Sequence, residues 1–249
     1  MTRYTDYDPF AWVYNRHFGT YTLRFCPILE ALVLPELAPH APVMDLCCGT
    51  GQLARWLTER GYSVTGIDGS EAMLHFAREN APEASFVLAD ARSFTVPSTF
   101  HAVVSTSDSL NHLLSLEELT AAFRNVYTAL IPGGVFLCDM NTHEHLPKLG
   151  TGEVNTSIVE DDHAFIMRTR YDTGTRLAYW DLTLFRLQNS WERADLTLIQ
   201  RGYEETEICQ ALVEAGFSDA RVFDAARCPE GLASLPCGRA FFMAWKEQP

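Results

Sequence analysis

The residues whose types and spacing could do chemistry fall in one short segment, Asp45-Leu46-Cys47-Cys48-Gly49-Thr50-Gly51, and at two later carboxylates, Asp68 and Asp90. Two glycines two positions apart let a ligand approach the backbone closely and let the chain take positive φ. A helix starting directly after them offers unpaired N–H groups and the positive end of its dipole to a carboxylate or phosphate. A Gly-x-Gly alone is a weak signal, and its place between a strand and a helix strengthens it. Asp68 follows Gly51 by 17 residues, at the end of the next strand. A carboxylate there is placed to accept hydrogen bonds from both hydroxyls of a ribose, and it argues against a 2′-phosphate. Asp90 ends a third strand, where it could accept from the exocyclic amino group of an adenine.

These residues need a scaffold, and the apolar pattern supplies one. Val43–Cys47, Ser63–Ile67, Ser85–Ala89, Ala102–Ser105 and Val135–Cys138 read as short apolar strands. Between them lie helical stretches. Leu53, Trp56 and Leu57 recur at helical spacing before a stop at Gly61, and Ser70 is placed to cap a helix with Met73, Phe76 and Ala77 on one face. Ser115 to Glu118 has the spacing of a capping box, ahead of Leu119, Phe123, Val126 and Leu130. Alternating strands and helices argue for a parallel sheet covered on both faces. Right-handed crossovers put every loop that follows a strand on one edge, where such sheets bind ligands. Residues 153–200 break the alternation with four strand-like runs separated by turns, which reads as an antiparallel meander inserted after the fifth strand. The expected fold is a Rossmann-like, doubly wound α/β sheet of seven mostly parallel strands, the last two, Ala220–Phe223 and Ala240–Trp245, forming an edge hairpin. The domain plan is an N-terminal helical cap (1–40), a ligand-binding domain (41–150 and 201–249) and the β insertion (151–200) as a lid or interface.

The segment Val43 to Gly51 resembles the first motif of the class I S-adenosylmethionine (SAM)-dependent methyltransferases, an acidic residue followed by G-x-G-x-G, with Cys47 where the first glycine would stand. Val64 to Leu74 resembles the second motif, Phe86 to Ala91 the third, and Leu130-Ile131-Pro132-Gly133-Gly134 the turn before strand five. The small-molecule members, glycine and amino-sugar N-methyltransferases, resemble this chain most. They share a Tyr-rich N-terminal helix, the Ser107 to Leu113 pattern after strand four, and an antiparallel insertion over the substrate. The resemblance implies SAM as cofactor and S-adenosylhomocysteine (SAH) as product. Asp68, with Gly69 beside it, would bind the ribose. Met73 would pack under the adenine, and Asp90, Ala91 and Arg92 would lie along its amino edge. Asp45, Cys47, Gly49 and Gly51 would surround the methionine moiety. Thr106 and Ser107 would flank the sulfonium. Tyr14 and Arg24 would close over the cofactor, Arg24 meeting its carboxylate. Asp108 and His112 are the nearest candidates for a general base, and Asp139 or Asn141 could orient the acceptor.

Composition narrows the partners. The 249 residues are 47% hydrophobic and 20% charged, ordinary for a globular protein. Nineteen Lys and Arg against 32 Asp and Glu leave a net charge of −13, which disfavours nucleic acid. No apolar run is long enough to span a bilayer, and no secretory h-region follows Met1, so a cytoplasmic protein acting on a small-molecule acceptor is expected. The seven cysteines, odd in number and without a CxxC, read as reduced thiols; His143 and His145 around Glu144 lack a third ligand at a recognisable spacing, so no metal is expected. Two further readings stay open. A nicotinamide-dependent oxidoreductase would use the same βαβ geometry but lacks the third glycine, with Leu53 and Ala54 in its place. A non-catalytic adenosine-ligand protein would use the insertion as an interface, through which a homodimer could also form.

Overall fold

The computed structural model describes residues 3–144, 146, 151–224 and 239–248. His145 and residues 225–238, with Cys228 and the Pro236-Cys237 dipeptide, lie outside the described residues.

Strands β1 (Pro42–Leu46), β2 (Ser63–Asp68), β3 (Ser85–Leu88), β4 (Phe100–Ser105) and β5 (Leu130–Asn141) pair in parallel, and β10 (Ala220–Phe223) and β11 (Arg239–Trp245) complete the sheet antiparallel. The order is β10-β11-β5-β4-β1-β2-β3. It reverses between β1 and β4, so a crevice opens beyond the carboxyl ends of those two strands. Helices α5 (Leu116–Ala129) and α6 (Glu205–Ala215) cover one face through Leu119, Phe123, Val126, Ile208 and Leu212. Helices α2 (Cys26–Leu32) and α3 (Gln52–Thr58) cover the other through Ile28, Leu29, Leu53 and Leu57. Helix α4 (Glu71–Asn80) is capped by Ser70, whose Oγ accepts from Met73 N. The seven-stranded Rossmann-like sheet is the one the alternation predicts.

Two local expectations are modified. Ser115 caps α5 by accepting from Glu118 N, but the reciprocal arm of the box is diverted. The Glu118 carboxylate accepts instead from Leu114 N and from Arg92. The N-terminal segment is helical but irregular: 3-10 turns at Arg3–Phe10 and Gly19–Phe25 enclose a one-turn helix α1 (Ala11–Val13) and a π turn (Tyr14–Phe18). Pro9 and Pro27 withhold backbone donors and Gly19 lowers helix propensity, so no long α-helix forms.

Strands β6 (Thr151–Val159), β7 (His163–Asp172), β8 (Leu177–Leu187) and β9 (Trp191–Arg201) form a separate antiparallel sheet in sequential order. Its inner face packs on the N-terminal segment. Phe10 and Val13 meet Phe165, Leu182, Leu184 and Leu198, and the Phe10 and Phe165 rings stack at 5.6 Å. Both elements thereby become one roof over the crevice. Phe165→Ala removes the shared centre of that roof and should cost about 3–5 kcal/mol of unfolding free energy in urea titration.

Candidate active site

The turn after β1 is held by its neighbour strand. Asp68, the last residue of β2, accepts Gly49 N at Oδ2 (2.8 Å) and Ser70 N at Oδ1 (2.9 Å). Each oxygen keeps a second lone pair for a ligand hydroxyl. Gly49 and Gly51 have φ of 53° and 83°, and Cys47, in the position of the missing glycine, also takes φ 60°. A left-handed non-glycine residue costs about 1–2 kcal/mol, so the fold here keeps the backbone shape without the residue that makes it cheap. A Cβ on Gly51 would lie 2.9 Å from Ala77 Cα, and one on Gly66 would meet the Phe86 ring at 2.6 Å. The turn is thus clamped between β2 and α4.

A cavity of about 230 Å³ opens against this turn. Asp68, Gly69 and Met73 form one end with Asp90, Ala91 and Arg92. Ser107, His112 and Leu113 form its floor, and Tyr7, Tyr14, Leu198 and Ile199 its roof. Asp45 and Thr106 line a narrower recess beside it, together with Tyr14, Cys47 and Ser107. Asp45 Oδ2 and Ser107 Oγ are buried there with no hydrogen-bond partner among the described residues. Burial, then the nearby charge of Asp68, pushes Asp45 up to about 7. Burial also raises Asp68, against the pull of its backbone donors.

Four of the sequence candidates sit differently from expectation. Gly51 lines neither the cavity nor the recess, because it is buried against Ala77 of α4. Arg24 does not line the cavity. It is exposed, with its guanidinium over the half-buried Tyr21 ring at 5.0 Å, while Thr22 and Phe25 of the same 3-10 turn are the residues that turn inward. Asp108 does not line the cavity either. The residue is buried and its carboxylate is bound by three donors: Arg239 (2.5 Å), Asn141 Nδ2 (3.0 Å) and Gln200 Nε2 (2.6 Å). So engaged, it anchors rather than accepts a proton. Its neighbour Ser107 and Asp108 itself have φ of 65° and 51°, and this network holds that strained turn in place. Asp90 reaches the cavity but spends its carboxylate on Arg92, which binds it through Nε and Nη2 and bridges on to Glu118.

Three residues escaped the sequence reading. Arg239 is a buried cation that joins Asp108 to Asp139. Gln200 arrives from the insertion. Tyr7, from the tyrosine-rich N-terminal segment, places its hydroxyl 2.8 Å from His112 Nε2 at the cavity wall. On the far side of the ring, His112 Nδ1 lies 2.8 Å from the Ile199 carbonyl. A carbonyl only accepts, so Nδ1 carries the hydrogen; in the neutral ring Nε2 is then the acceptor, facing the Tyr7 hydroxyl.

Doubly wound topology, a glycine-bearing turn at the strand-order reversal and an acidic residue ending β2 define a nucleoside-cofactor enzyme of Rossmann-like build. Residues 43–134 match the methyltransferase domain family. YqeM of Bacillus subtilis, which bears the name of a methyltransferase, is 29% identical over 240 residues, spanning 88% of this chain and 96% of that one. A Streptomyces venezuelae enzyme, dTDP-3-amino-3,4,6-trideoxy-alpha-D-glucopyranose N,N-dimethyltransferase, is 36% identical over 108 residues, 43% of this chain and 46% of that one. The crystal structure of a SAM-dependent methyltransferase from Clostridium acetobutylicum superposes with a TM-score of 0.76 at 20% identity, covering 97% of this chain and 99% of that one. Over residues 43–134 the chain is thus similar to methyltransferase domains, and its fold is that of the class I SAM-dependent methyltransferases.

The residues present fit that cofactor. Two hydroxyls could meet the remaining lone pairs of Asp68, and an ammonium the orphaned Asp45 oxygen. An ammonium calls for the Asp45 anion, whereas the empty fold favours its protonated form. The carboxyl therefore contributes stability at acid pH that is lost as pH rises through about 7. SAH affinity should move the opposite way, weakening by up to roughly tenfold per unit as pH falls below that value. Asp45→Asn should bind more weakly and lose this slope, which calorimetric titration across pH 5.5–8 reads directly, about the range where Asp45 titrates.

Proposed function

We propose that this chain transfers the methyl group of SAM to the nitrogen of a small-molecule amine, with Tyr7 and His112 receiving the proton that the amine gives up. The observation that carries this reading is the Tyr7–His112 hydrogen bond at the cavity wall. In this reading the ribose hydroxyls lie on Asp68, the adenine over Met73 with Ala91 and the Asp90–Arg92 pair along its edge, and the methionine moiety among Asp45, Cys47 and Gly49. Thr106 and Ser107 flank the sulfonium. The carboxylate end faces Tyr14 rather than Arg24.

The sulfonium supplies an electrophilic methyl group and takes the electron pair of the breaking S–C bond. What this chain must add is alignment and exclusion of water. The roof of Tyr7, Tyr14, Leu198 and Ile199 and the floor of Leu110 and Leu113 supply the second. Alignment comes from Tyr7, whose oxygen keeps lone pairs toward the cavity while its hydrogen points to His112. As the amine nitrogen bonds to the methyl carbon, its N–H proton passes to Tyr7 Oη, and the tyrosine hydrogen passes to His112 Nε2. Burial holds the Tyr7 hydroxyl protonated, helped by the charges of Asp108 and Asp68. That same negative field favours an acceptor that gains positive charge, as an amine does.

The Streptomyces relative, named for transfer to a sugar amine, supports the same acceptor class. The acidic surface speaks against nucleic acid, and among the described residues no helix is long and apolar enough to cross a membrane. A second copy pairing through the insertion would meet the apolar end formed by Val159, Leu187 and Trp191.

Calorimetry tests the cofactor arm. SAH should bind the unsubstituted chain at micromolar level, Asp68→Ala should abolish this, and nicotinamide dinucleotides should not bind. Tight binding of a nicotinamide dinucleotide with none of SAH would reverse the assignment. On any amine that turns over, Tyr7→Phe and His112→Gln should each lower kcat/KM by roughly 10²-fold or more, the scale of general base catalysis. Activity within twofold of the unsubstituted enzyme in both variants would remove them from the mechanism.

A further inference from the structure

Gln200, near the end of β9, is 4% exposed and carries its side chain from the insertion into the loop after β4. Trp180 Nε1 lies 3.2 Å from Gln200 Oε1. An indole nitrogen can only donate, so this contact fixes which end of the amide is oxygen. The nitrogen end then faces Asp108 Oδ2 at 2.6 Å, His112 Nε2 at 3.3 Å and, more distantly, the Asp108 carbonyl at 3.5 Å. One N–H serves Asp108 Oδ2, and the other faces His112 Nε2, where it shares the single lone pair with the Tyr7 hydroxyl. The residue before it, Ile199, accepts from His112 Nδ1. Consecutive residues of one insertion strand thus hold both nitrogens of the same imidazole.

We propose that Gln200 is a positioning residue for methyl transfer: with Ile199 it holds His112 in the Nδ1–H form, so that Nε2 stays an acceptor toward Tyr7. This rests on the reading of Tyr7 and His112 as the proton route. The side-chain chemistry is specific to an amide. Trp180 demands an acceptor at one end, while Asp108 and His112 demand donors at the other, and among the uncharged side chains only Gln and Asn carry both on adjacent atoms. A glutamate would satisfy Trp180 but would set a carboxylate oxygen against Asp108 and His112. His112 would answer by carrying a hydrogen on Nε2, and the Tyr7 hydroxyl would have to turn its hydrogen toward the cavity. The tyrosine oxygen would then no longer be placed to receive a proton. The insertion is accordingly more than a cover: its last strand sets the hydrogen positions of the reacting wall.

The test is ¹⁵N NMR of the full chain labelled at histidine, with saturating SAH, His112 being assigned by its loss in His112→Gln. The unsubstituted protein at pH 7.5 should show a protonated Nδ1 and an unprotonated, hydrogen-bonded Nε2. Gln200→Glu should move Nε2 to the protonated range. Gln200→Met, which fills the space without a donor or a new charge, should leave Nδ1 protonated and shift Nε2 downfield, toward a nitrogen with one donor fewer. An Nε2–H form in the unsubstituted protein overturns the proposal, and so do His112 shifts unchanged in both variants. SAH titration of the same samples separates the two layers. Binding retained with unchanged His112 shifts removes the role of Gln200 alone, whereas no SAH binding by the unsubstituted chain removes the cofactor assignment beneath it.

Discussion

The site depends on one carboxylate holding two backbone amides. Asp68 accepts Gly49 N on one oxygen and Ser70 N on the other, so a single side chain at the end of β2 fixes both the glycine turn after β1 and the entry to α4. Ser70 extends this hold by capping α4 through Met73 N and by bonding Asp8 of the N-terminal segment at 2.5 Å. The cavity wall made by Gly49, Asp68, Gly69 and Met73 is therefore rigid before any ligand arrives. Such rigidity is what methyl transfer asks for, since the donor is already activated and catalysis consists largely of holding reacting atoms in line.

A second, independent anchor holds the other side of the cavity. Arg239, Asn141 and Gln200 come from β11, β5 and β9, and all bind the Asp108 carboxylate. Asp108 and Ser107 lie in a strained left-handed turn that would relax without such partners. Asn111 binds the same junction, donating to the carbonyls of Asn141 and Arg201. Main sheet and insertion are thereby stitched together on the floor of the site, while the Phe10–Phe165 stack joins insertion and N-terminal segment above it. The acceptor side is roofed by the insertion and the N-terminal segment, which lie outside the main sheet, and this is where members of one fold can differ in substrate without disturbing the cofactor end.

The cofactor end was the part most legible in the sequence. A strand, a glycine turn, a helix and an acidic residue at the next strand end are signals carried within about 25 residues, the span of one βα unit, and the structure places Asp68, Gly49 and Met73 on one cavity. What failed was local geometry of unusual kind. A helical N-terminal segment lets Arg24 reach inward, but the 3-10 winding of Gly19–Phe25 buries Thr22 and Phe25 and leaves Arg24 exposed over the Tyr21 ring. Asp108 reads as a base next to His112, yet its charge is consumed by Arg239, 131 positions further on. Gln200 and Tyr7 were equally hidden, since nothing in a β-strand pattern or an aromatic-rich segment marks a side chain that meets His112 across 88 or 105 positions. Long-range polar contacts have no periodicity, so only the folded chain reveals them.

The most direct test of the account is a crystal structure of the chain with SAH. Both ribose hydroxyls should lie within hydrogen-bond distance of the Asp68 carboxylate, the ammonium at Asp45 Oδ2, and the homocysteine sulfur should face Tyr7 and His112 across the acceptor space. SAH bound elsewhere, or bound with its sulfur turned away from the Tyr7–His112 wall, would contradict it.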